Sequence, residues 1–412
     1  MPYYANTGGD ITALLVGILS IILLIIVSST LITKECFDKK VQKYLYLMLL
    51  IQIIIIIVDN YIRVFPLLEY DPRAFEGLGW YSYENNVNIG RGIYNTLIIN
   101  PIYKMIGIRS ATIFGVINVF ANLLTNLNMY KILVKLKIDL KIRRFLLFIS
   151  ILSPISLIFK SGILREAIII MFVSYSLKYF IDYIISGNNK EILKSFIFIG
   201  IGSIFHSGVI FLASGYFFGL LSGKKNQKVY QILTIIITIL LFIIFKDKLL
   251  EKLGGGDIDR IIVANNYTSL KEASSGYLKN ISTTSLGQIV IYLPLFIFYF
   301  LYSPTPDMIR GVMDIVTFLL NSSIYIYLTL TIIFFYKKIK KRLNLKEKMI
   351  IKSLIIGTLF TISVFSIGTR NAGTAIRHRD KIVLPLIIVS GIIQNKYLIE
   401  KENRRDKNGK TN

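Results

Sequence analysis

The chain has 412 residues, of which 54% are hydrophobic and only 17% are charged, and its mean hydropathy is +0.61. A soluble domain carries about 25% charged residues, so this composition excludes a disordered chain and disfavours an ordinary soluble enzyme. The formal net charge is +24, and membrane proteins accumulate such an excess because their cytoplasmic loops collect Lys and Arg.

Cysteine and histidine are too scarce to build a metal site by themselves. Cys36 is the only cysteine, and His206 and His378 are the only histidines, which excludes an intramolecular disulfide and a Cys- or His-rich metal site. The sequence also lacks a Walker loop and the HExxH and GxSxG motifs. We therefore expect no metal, no cofactor and no nucleic-acid partner.

Long apolar runs predict an all-α polytopic integral membrane protein. Only helices and closed barrels span lipid, and these runs are too long for barrel strands. We predict about eleven transmembrane helices, within a range of about 10–12, in a single membrane domain covering residues 1–412. The predicted spans are 11–32, 44–65, 110–130, 145–159, 163–185, 196–221, 229–245, 287–302, 312–336, 349–368 and 381–394.

The positions of the charges predict the topology. The first 33 residues contain no Lys or Arg, which argues against a cleavable signal peptide, and the Lys residues after the first span place the N-terminus outside. Alternation then predicts that 131–144, 337–348 and the tail 395–412 are cytoplasmic. The same alternation predicts that 66–109 and 368–381 are extracytoplasmic.

The side of the long loop 246–287 stays open at this stage. The run 196–221 is either one span or a re-entrant hairpin broken near His206, and the two interpretations place the loop on opposite sides. The loop contains the sequence D-I-D at 257–259 after three glycines. Two carboxylates at this spacing can hold Mg²⁺ beside a diphosphate, although polar loops also supply such a short pattern by chance.

The segment 368–381, GTRNAGTAIRHRDK, carries four Arg and Lys residues on the predicted outer face, against the positive-inside trend. Arg forms bidentate bonds to phosphate, so Arg370, Arg377 and Arg379 are candidates for binding an anionic group. Gly373 would let backbone amides approach such an anion, and His378 is a candidate base. The simpler interpretation is contact with lipid headgroups.

Three further ionisable residues lie in or beside predicted spans. Arg165 and Glu166 begin the span 163–185 and form either a structural ion pair or part of the same anion site, with Glu166 as a candidate base. His206 lies within the span 196–221, where it either bonds between helices or accepts a proton.

An acidic and aromatic stretch lies in the predicted outer segment, and it contains Asp71, Arg73, Glu76, Trp80, Tyr81 and Tyr83. Trp80 is the only tryptophan, and it either anchors the chain at the membrane interface or stacks on a sugar ring. Asp71 is either a general base or a solvated carboxylate. Arg73 and the two tyrosines are candidates for contact with substrate.

The order of these motifs resembles that of the bacterial oligosaccharide repeat-unit polymerases, the Wzy-like and EpsG-like proteins of O-antigen, capsule and exopolysaccharide pathways. The resemblance covers most of the chain. It is carried by D-x-x-x-F-x-x-x-x-W at 71–80, S-x-x-x-R-E at 161–166, F-H-S at 205–207, YFLYSPTP at 299–306 and N-x-G-T-A-x-R-H-R at 371–379.

The resemblance implies a GT-C-like helical fold in the bacterial cytoplasmic (inner) membrane. It implies that oligosaccharide units on undecaprenyl diphosphate are joined at the outer face, with no nucleotide sugar. The implied partners are that lipid-linked oligosaccharide, membrane lipids, a chain-length regulator and other polysaccharide assembly proteins. The residues themselves supply the candidates for this reaction: Arg165, Arg370, Arg377 and Arg379 for the diphosphate, and His378, Asp71, Glu166 and His206 for the base. His378 and Asp71 are favoured as the base because we expect them to be exposed.

Several alternatives remain open on the sequence alone, among them a structural membrane protein and, if the loop 246–287 is cytoplasmic, an enzyme that uses a nucleotide sugar. A lipid-linked oligosaccharide flippase or transporter would place charges deep within its spans, whereas most ionisable residues here lie at predicted boundaries. A polyprenyl-phosphate-sugar-dependent glycosyltransferase or a ligase would need the same outer cations, so the sequence does not separate these enzymes from a polymerase.

Overall fold

The computed structural model describes residues 11–62, 71–87, 93–222, 275–278 and 286–409, together with five isolated positions between these ranges. The contacts divide the chain into two compact units. The first comprises Met1–Tyr130 with Leu147–Ser174, and the second comprises Lys131–Leu146 with Tyr175–Asn412. Each unit is built from helices.

The first unit holds the N-terminal helices and a set of short helical segments. Its helices are α1 (Ile11–Glu35), α2 (Lys39–Ile57), α3 (Asp71–Glu84), α4 (Asn100–Ile106) and α7 (Pro154–Ser161). Single π-helical turns, Val58–Ile62 and Asn95–Ile99, follow α2 and precede α4. The helices α5 (Ala111–Lys135), α6 (Leu140–Ile151) and α8 (Glu166–Ser186) each contribute residues to both units.

The second unit holds the remaining helices of the described residues. These are α9 (Asn189–Phe205), α10 (Leu212–Ser222), α11 (Leu286–Tyr302), α12 (Val312–Thr317), α13 (Ser323–Ile339), α14 (Leu345–Ile367), α15 (Ala372–Arg379) and α16 (Val383–Gly409). A 3₁₀ turn, Ser207–Phe211, precedes α10, and a π-helical turn, Phe318–Ser322, joins α12 to α13.

The structure confirms the prediction of an all-α polytopic membrane protein. Within the described residues, seven helices are long and apolar enough to cross a membrane. They are Ile11–Glu35, Lys39–Ile62, Ala111–Lys135, Glu166–Ser186, Val312–Ile339, Leu345–Ile367 and Val383–Asn403. The bent pair α6–α7 gives an eighth candidate, and α11 is an apolar but shorter helix. The predicted span 229–245 lies outside the described residues, so the count of about eleven stays a prediction.

Two predicted spans are interrupted. The predicted span 145–159 is bent by 51° between α6 and α7, because Pro154 lacks an N–H and disfavours a helical Ser153. The predicted span 196–221 is broken at His206, which is extended with φ −154° and ψ 103°. Gly208 follows this break, and a Cβ there would overlap the ring of Phe365.

Amide side chains form a polar row along α5 in the first unit. Asn118 donates to the backbone oxygen of Leu164 at 2.8 Å, and Asn122 donates to Gln52 of α2 at 3.1 Å. Asn126, one turn further on, donates to the backbone oxygen of Asn122 at 2.9 Å. Such bonds satisfy polar groups that would be costly inside a membrane-spanning helix.

In the second unit α14 packs against α10, α11 and α16. Its closest approach is to α10, where a Cβ on Gly215 would overlap the backbone oxygen of Ser353. A Cβ on Gly357 would lie 2.7 Å from the backbone oxygen of Leu212. Small residues at such a crossing allow two helix backbones to come into contact, and this crossing fixes α14, which carries Phe365 near its C-terminal end.

Candidate functional site

The two histidines of the chain meet in the second unit. The rings of His206 and His378 are nearly perpendicular, and their centroids are 4.9 Å apart. The ring of Phe365 contacts both, at 5.0 Å from His206 and 5.3 Å from His378. The fold therefore brings together two residues that are 172 positions apart (378 minus 206) in the sequence.

Three different elements position this ring cluster. His206 directly follows α9, at the break of the helix, and is only 6% exposed. Phe365 lies near the end of α14. His378 lies on α15 and is half-buried. The Nδ1 atom of His378 is 3.4 Å from the hydroxyl oxygen of Thr369, so this hydroxyl can orient the imidazole, and the tautomer decides which atom donates.

Asn371 and a short segment from 275 to 278 hold the start of α15. The Asn371 side chain caps the helix by accepting from the amides of Gly373 at 2.8 Å and Thr374 at 3.3 Å. Ser275 donates to the same Asn371 oxygen at 3.0 Å. The amide of Gly373 thus bonds to a side chain of the protein, which differs from the expectation that it approaches an anion.

Arg379 is fully buried, and each of its five N–H donors has an acceptor. Its Nε and Nη2 atoms donate to the side-chain oxygen of Asn321, and Nη2 also donates to the Ser322 hydroxyl at 3.2 Å. The other terminal nitrogen donates to the backbone oxygens of Leu301 at 2.9 Å and Ser303 at 2.6 Å. This geometry favours a scaffolding role for Arg379 over direct contact with a diphosphate.

The guanidinium of Arg379 also lies over the ring of Tyr325, 4.9 Å from its centroid. Burial lowers the pKa of Arg379 to about 10, and the neighbouring Tyr325 and Asp380 oppose this shift. The guanidinium therefore remains cationic at neutral pH. The hydroxyl of Tyr325 donates to Asp380 at 3.2 Å, so a tyrosine and a carboxylate complete the surroundings of this cation.

The other basic residues of the segment differ in exposure. Arg370 is 2% exposed, donates to the backbone oxygen of Ile281 at 2.8 Å and lies over the ring of Phe296 at 4.4 Å. Burial lowers the pKa of Arg370. Lys381 is fully buried, with its ammonium 5.8 Å from the Phe365 ring centroid. Arg377 is half-buried, which makes it the most accessible cation of this group.

Tyr277 lies beside the same cluster, and its hydroxyl donates to the backbone oxygen of Thr369 at 2.6 Å. Its own amide donates to the backbone oxygen of Arg370 at 2.9 Å. Burial raises the pKa of Tyr277, and the charges of Arg379 and Arg370 oppose this rise. The two imidazoles thus lie beside the basic segment 368–381, and imidazoles and cations together can accept a proton and stabilise an anion.

The predicted outer patch divides into exposed and buried residues in the first unit. Asp71 is exposed at the start of α3, and Arg73 is half-buried. Glu76, in contrast, is 4% exposed and accepts two bonds of 2.8 Å from Arg109. The Glu76 carboxylate raises the pKa of Arg109. The burial and bonding of this pair indicate a structural role for Glu76, whereas Asp71 is exposed.

Aromatic rings surround the Glu76–Arg109 pair. Tyr103 donates to Glu76 at 2.7 Å, and its ring lies 5.0 Å from that of Trp80. Trp80 is half-buried, 5.1 Å from the Tyr83 ring and 5.8 Å from the Arg109 guanidinium carbon. The tryptophan therefore packs within the unit on one side, and its partial exposure leaves contact with a ligand feasible.

Arg165 and Glu166 lie where α8 begins in the first unit. Arg165 is half-buried and Glu166 is 1% exposed, at a helix N-terminus that favours negative charge. Burial raises the pKa of the Tyr94 hydroxyl, and the charge of Glu166 adds to this rise. Asn118 fixes the preceding turn through its bonds to the backbone oxygens of Gly162 and Leu164.

The sequence interpretation missed several residues that hold the site. Asn321 and Ser322, which bind Arg379, belong to a π-helical turn inside the apolar span Val312–Ile339. A buried amide in such a span is a signal that polar contacts are needed there. Arg109 was also missed, because its pairing with Glu76 joins residues 33 positions apart.

Within the described residues, no group of three or more His, Cys, Asp or Glu side chains is arranged to hold a metal ion. The sequence D-I-D at 257–259, with the glycines before it, lies outside the described residues. Comparisons of the chain with protein-family models, with curated proteins and with solved structures found no match. The assignment of a function therefore depends on the geometry and chemistry of the residues themselves.

Proposed function

We propose that the chain polymerises lipid-linked oligosaccharide repeat units at the outer face of the bacterial cytoplasmic membrane. In this reaction a hydroxyl oxygen of the incoming unit forms a bond to the anomeric carbon of the growing glycan. The bond from that carbon to the undecaprenyl diphosphate oxygen breaks, and the diphosphate leaves with the bonding electrons. The hydroxyl proton passes to a base.

The observation that carries this proposal is the meeting of both histidines beside the basic segment 368–381. The imidazole rings of His206 and His378 are 4.9 Å apart, and Lys381 and Arg377 belong to the same segment as His378. An unperturbed imidazole is suited to accept a proton near neutral pH. Cations beside it stabilise the charge that develops on a departing diphosphate.

The differences in exposure suggest different roles within the cluster. His378 is half-buried and oriented by Thr369, so we assign it as the base. His206 is more deeply buried, and we assign it as a positioning residue. Arg377 is the accessible cation and would contact the diphosphate, whereas Arg379 maintains the backbone around the site through its protein acceptors.

The first unit holds a separate set of candidates for contact with glycan and lipid. Trp80 and Arg73 are half-buried on α3 and would contact sugar. Asp71 is exposed and is the alternative base, and Arg165 is an alternative contact to diphosphate. Glu166 is nearly fully buried, which favours it less as a base than His378.

The proposal is tested in a host strain that lacks the gene and receives variants of it. His378→Gln and Arg377→Ala should reduce long-chain surface polysaccharide by about 10²–10³-fold at normal protein levels, the loss expected when one stabilising group is removed. Lys341→Ala is the control, because Lys341 is exposed in the turn between α13 and α14. Single repeat units on undecaprenyl diphosphate should accumulate on the outer face.

Other profiles would point to other functions. Repeat units trapped on the cytoplasmic side would indicate a flippase, and a shortened repeat unit would indicate a sugar transferase. Complete long chains that remain on their lipid carrier would indicate a ligase. Normal long chains in both His378→Gln and Arg377→Ala would refute the assignment of this cluster as the site of reaction.

A further inference from the structure

A cavity of about 370 Å³ opens in the first unit, away from the histidine cluster in sequence. It is lined by Ser82, Asn86, Val87, Asn95, Thr96, Asn100, Pro101 and Lys104. These residues come from the C-terminal end of α3, the turn after it, the π-helical turn Asn95–Ile99 and α4. The volume falls in the range of small-molecule sites, roughly 300–1,000 Å³.

The lining indicates the chemistry of a ligand. Five of its eight residues carry a neutral amide or hydroxyl group, and Lys104 is the one charged residue among the described lining residues. An amide offers both donors and acceptors, which matches neighbouring hydroxyl groups on a ring. Among the described lining residues a single cation favours an uncharged ligand over an anion, and an apolar ligand would leave the Asn95 amide unsatisfied.

Asn95 is a buried lining residue whose side-chain amide lacks hydrogen-bond partners among the described residues. It is 3% exposed and lines the cavity, yet neither its Nδ2 nor its Oδ1 atom has a hydrogen-bond partner among the described residues. A buried amide without partners destabilises a protein. A ligand with adjacent hydroxyl groups would supply an acceptor and a donor to this one side chain.

Other lining residues are already fixed by the protein. Asn100 donates to the Ser82 hydroxyl at 2.9 Å, and Ser82 in turn donates to the backbone oxygen of Val87. The wall that faces a ligand is therefore preorganised, which reduces the entropic cost of binding.

The backbone around Asn95 has an uncommon form. Asn95–Ile99 is a π-helical turn, closed by a bond from the amide of Asn100 to the oxygen of Asn95. Pro101 has no N–H for the oxygen of Leu97, so the regular α-helical pattern cannot pass through this point. Single π-helical turns occur often at functional sites, and here the turn presents Asn95 and Thr96 to the cavity.

We propose that this cavity binds one uncharged sugar ring, with the amide of Asn95 as its central hydrogen-bonding group. The site lies among residues that the sequence predicts to be extracytoplasmic, where free glycans and glycan ends are accessible. The inference does not rest on the proposed polymerase activity, because binding of a free sugar is measured without turnover.

Tryptophan fluorescence provides the test, since Trp80 is the only tryptophan and lies two positions before Ser82 on α3. The detergent-solubilised full chain is titrated with methyl glycosides of glucose, galactose, mannose and N-acetylglucosamine, up to high millimolar concentrations. We expect a saturable change with at least one of them. Inorganic phosphate is titrated in parallel as the charged probe.

Asn95→Leu separates binding from folding. We expect it to weaken the sugar affinity by about tenfold or more, while its melting temperature equals or exceeds that of the unmodified chain, because an unsatisfied buried amide is removed. Asn85→Ala, an exposed residue of the same turn outside the lining, should bind sugar normally.

Three results would overturn the inference. The first is the absence of saturable binding for every glycoside in the unmodified chain. The second is normal sugar affinity, or a lowered melting temperature, in Asn95→Leu, since the amide would then be dispensable or structural. The third is saturable binding of phosphate alone, with loss of that binding in Lys104→Ala, which would make the cavity an anion site.

Discussion

Arg379 is a buried cation whose hydrogen-bond donors all bond to acceptors of the protein. Its five donors join the end of α11, a π-helical turn and the end of α15. Lysine has a similar charge but only three donors on a single nitrogen, so it cannot replace this planar set. The buried acceptors, including those of Asn321 and Ser303, depend on the guanidinium.

Arg379→Ala should therefore reduce the free energy of unfolding by about 3–5 kcal/mol, the cost of breaking a buried charged network. Arg379→Lys should recover only part of this loss. The measurement is thermal unfolding of the detergent-solubilised chain, with the exposed Arg310→Ala as control. An Arg379→Ala variant that melts like the unmodified chain would contradict the scaffolding role.

The Glu76–Arg109 pair makes a similar prediction in the first unit. Glu76→Gln removes the charge that accepts from Arg109 and Tyr103, and we expect a loss of about 1.5–3 kcal/mol in the free energy of unfolding. Trp80 contacts both partners of Glu76, so its fluorescence spectrum should shift as well. Glu402→Gln, at an exposed position of α16, should leave both quantities unchanged.

At the scale of elements, interruptions of helices place polar groups where they are needed. Three π-helical turns each carry a buried amide, namely Asn60, Asn95 and Asn321. The break at His206 belongs to the same class, because it ends α9 where an uninterrupted helix would continue. In these four places an irregular helix turn or a helix break carries a buried polar side chain.

The crossing of α10 and α14 leads to a prediction about backbone contact. Gly215→Ala should destabilise the protein by about 3 kcal/mol, because the new methyl group would overlap the backbone oxygen of Ser353. Gly200→Ala is the matched control, since no described atom lies within 4 Å of a Cβ there. This control should gain about 0.5–1 kcal/mol from improved helix propensity.

Unfolding of both variants is compared in the same detergent. Equal stability of Gly215→Ala and the unmodified chain would mean that the two backbones are further apart than the structure has them.

Hydropathy was sufficient to predict the membrane-spanning class, because burial in lipid requires long apolar helices whatever their arrangement. A break near His206 was one of two interpretations of 196–221, but the apolar content is continuous there, so hydropathy could not choose between them. In the structure the chain packs closely just after the break, since a Cβ on Gly208 would overlap the ring of Phe365. The bend before Pro154 was in principle visible, since proline disfavours a helical residue before it.

The candidate site was predictable only in part, for the same reason. The unusual charge of 368–381 was a local signal in the sequence, and so was the polar His206 inside an apolar run. The meeting of His206 with His378 required the fold. Likewise, Arg379 looked like an anion ligand in sequence, whereas its acceptors come from residues 57 to 78 positions away.

At the scale of the whole molecule, the predicted topology can be measured with the native cysteine in place. Cys36 is fully buried, so it should react slowly with thiol reagents. In spheroplasts, Asn85→Cys should react with a membrane-impermeant maleimide, because 66–109 is predicted to be extracytoplasmic. Asn188→Cys, exposed between α8 and α9, should react only after permeabilisation.

The reverse labelling pattern would invert the topology, and with it the outer-face location of the proposed reaction. Labelling of both positions in intact spheroplasts would mean that an even number of crossings separates them, which would contradict the three predicted spans 110–130, 145–159 and 163–185.

The ring cluster also has a consequence for spectroscopy. Histidine occurs at only two positions of the chain, and both belong to this cluster. Labelling histidine alone with nitrogen-15 would therefore give NMR signals from this cluster only. The four ring nitrogens report tautomer and charge directly. With an affinity tag free of histidine, the protonation of the cluster could be followed during a titration without any substitution and without interference from hundreds of other residues.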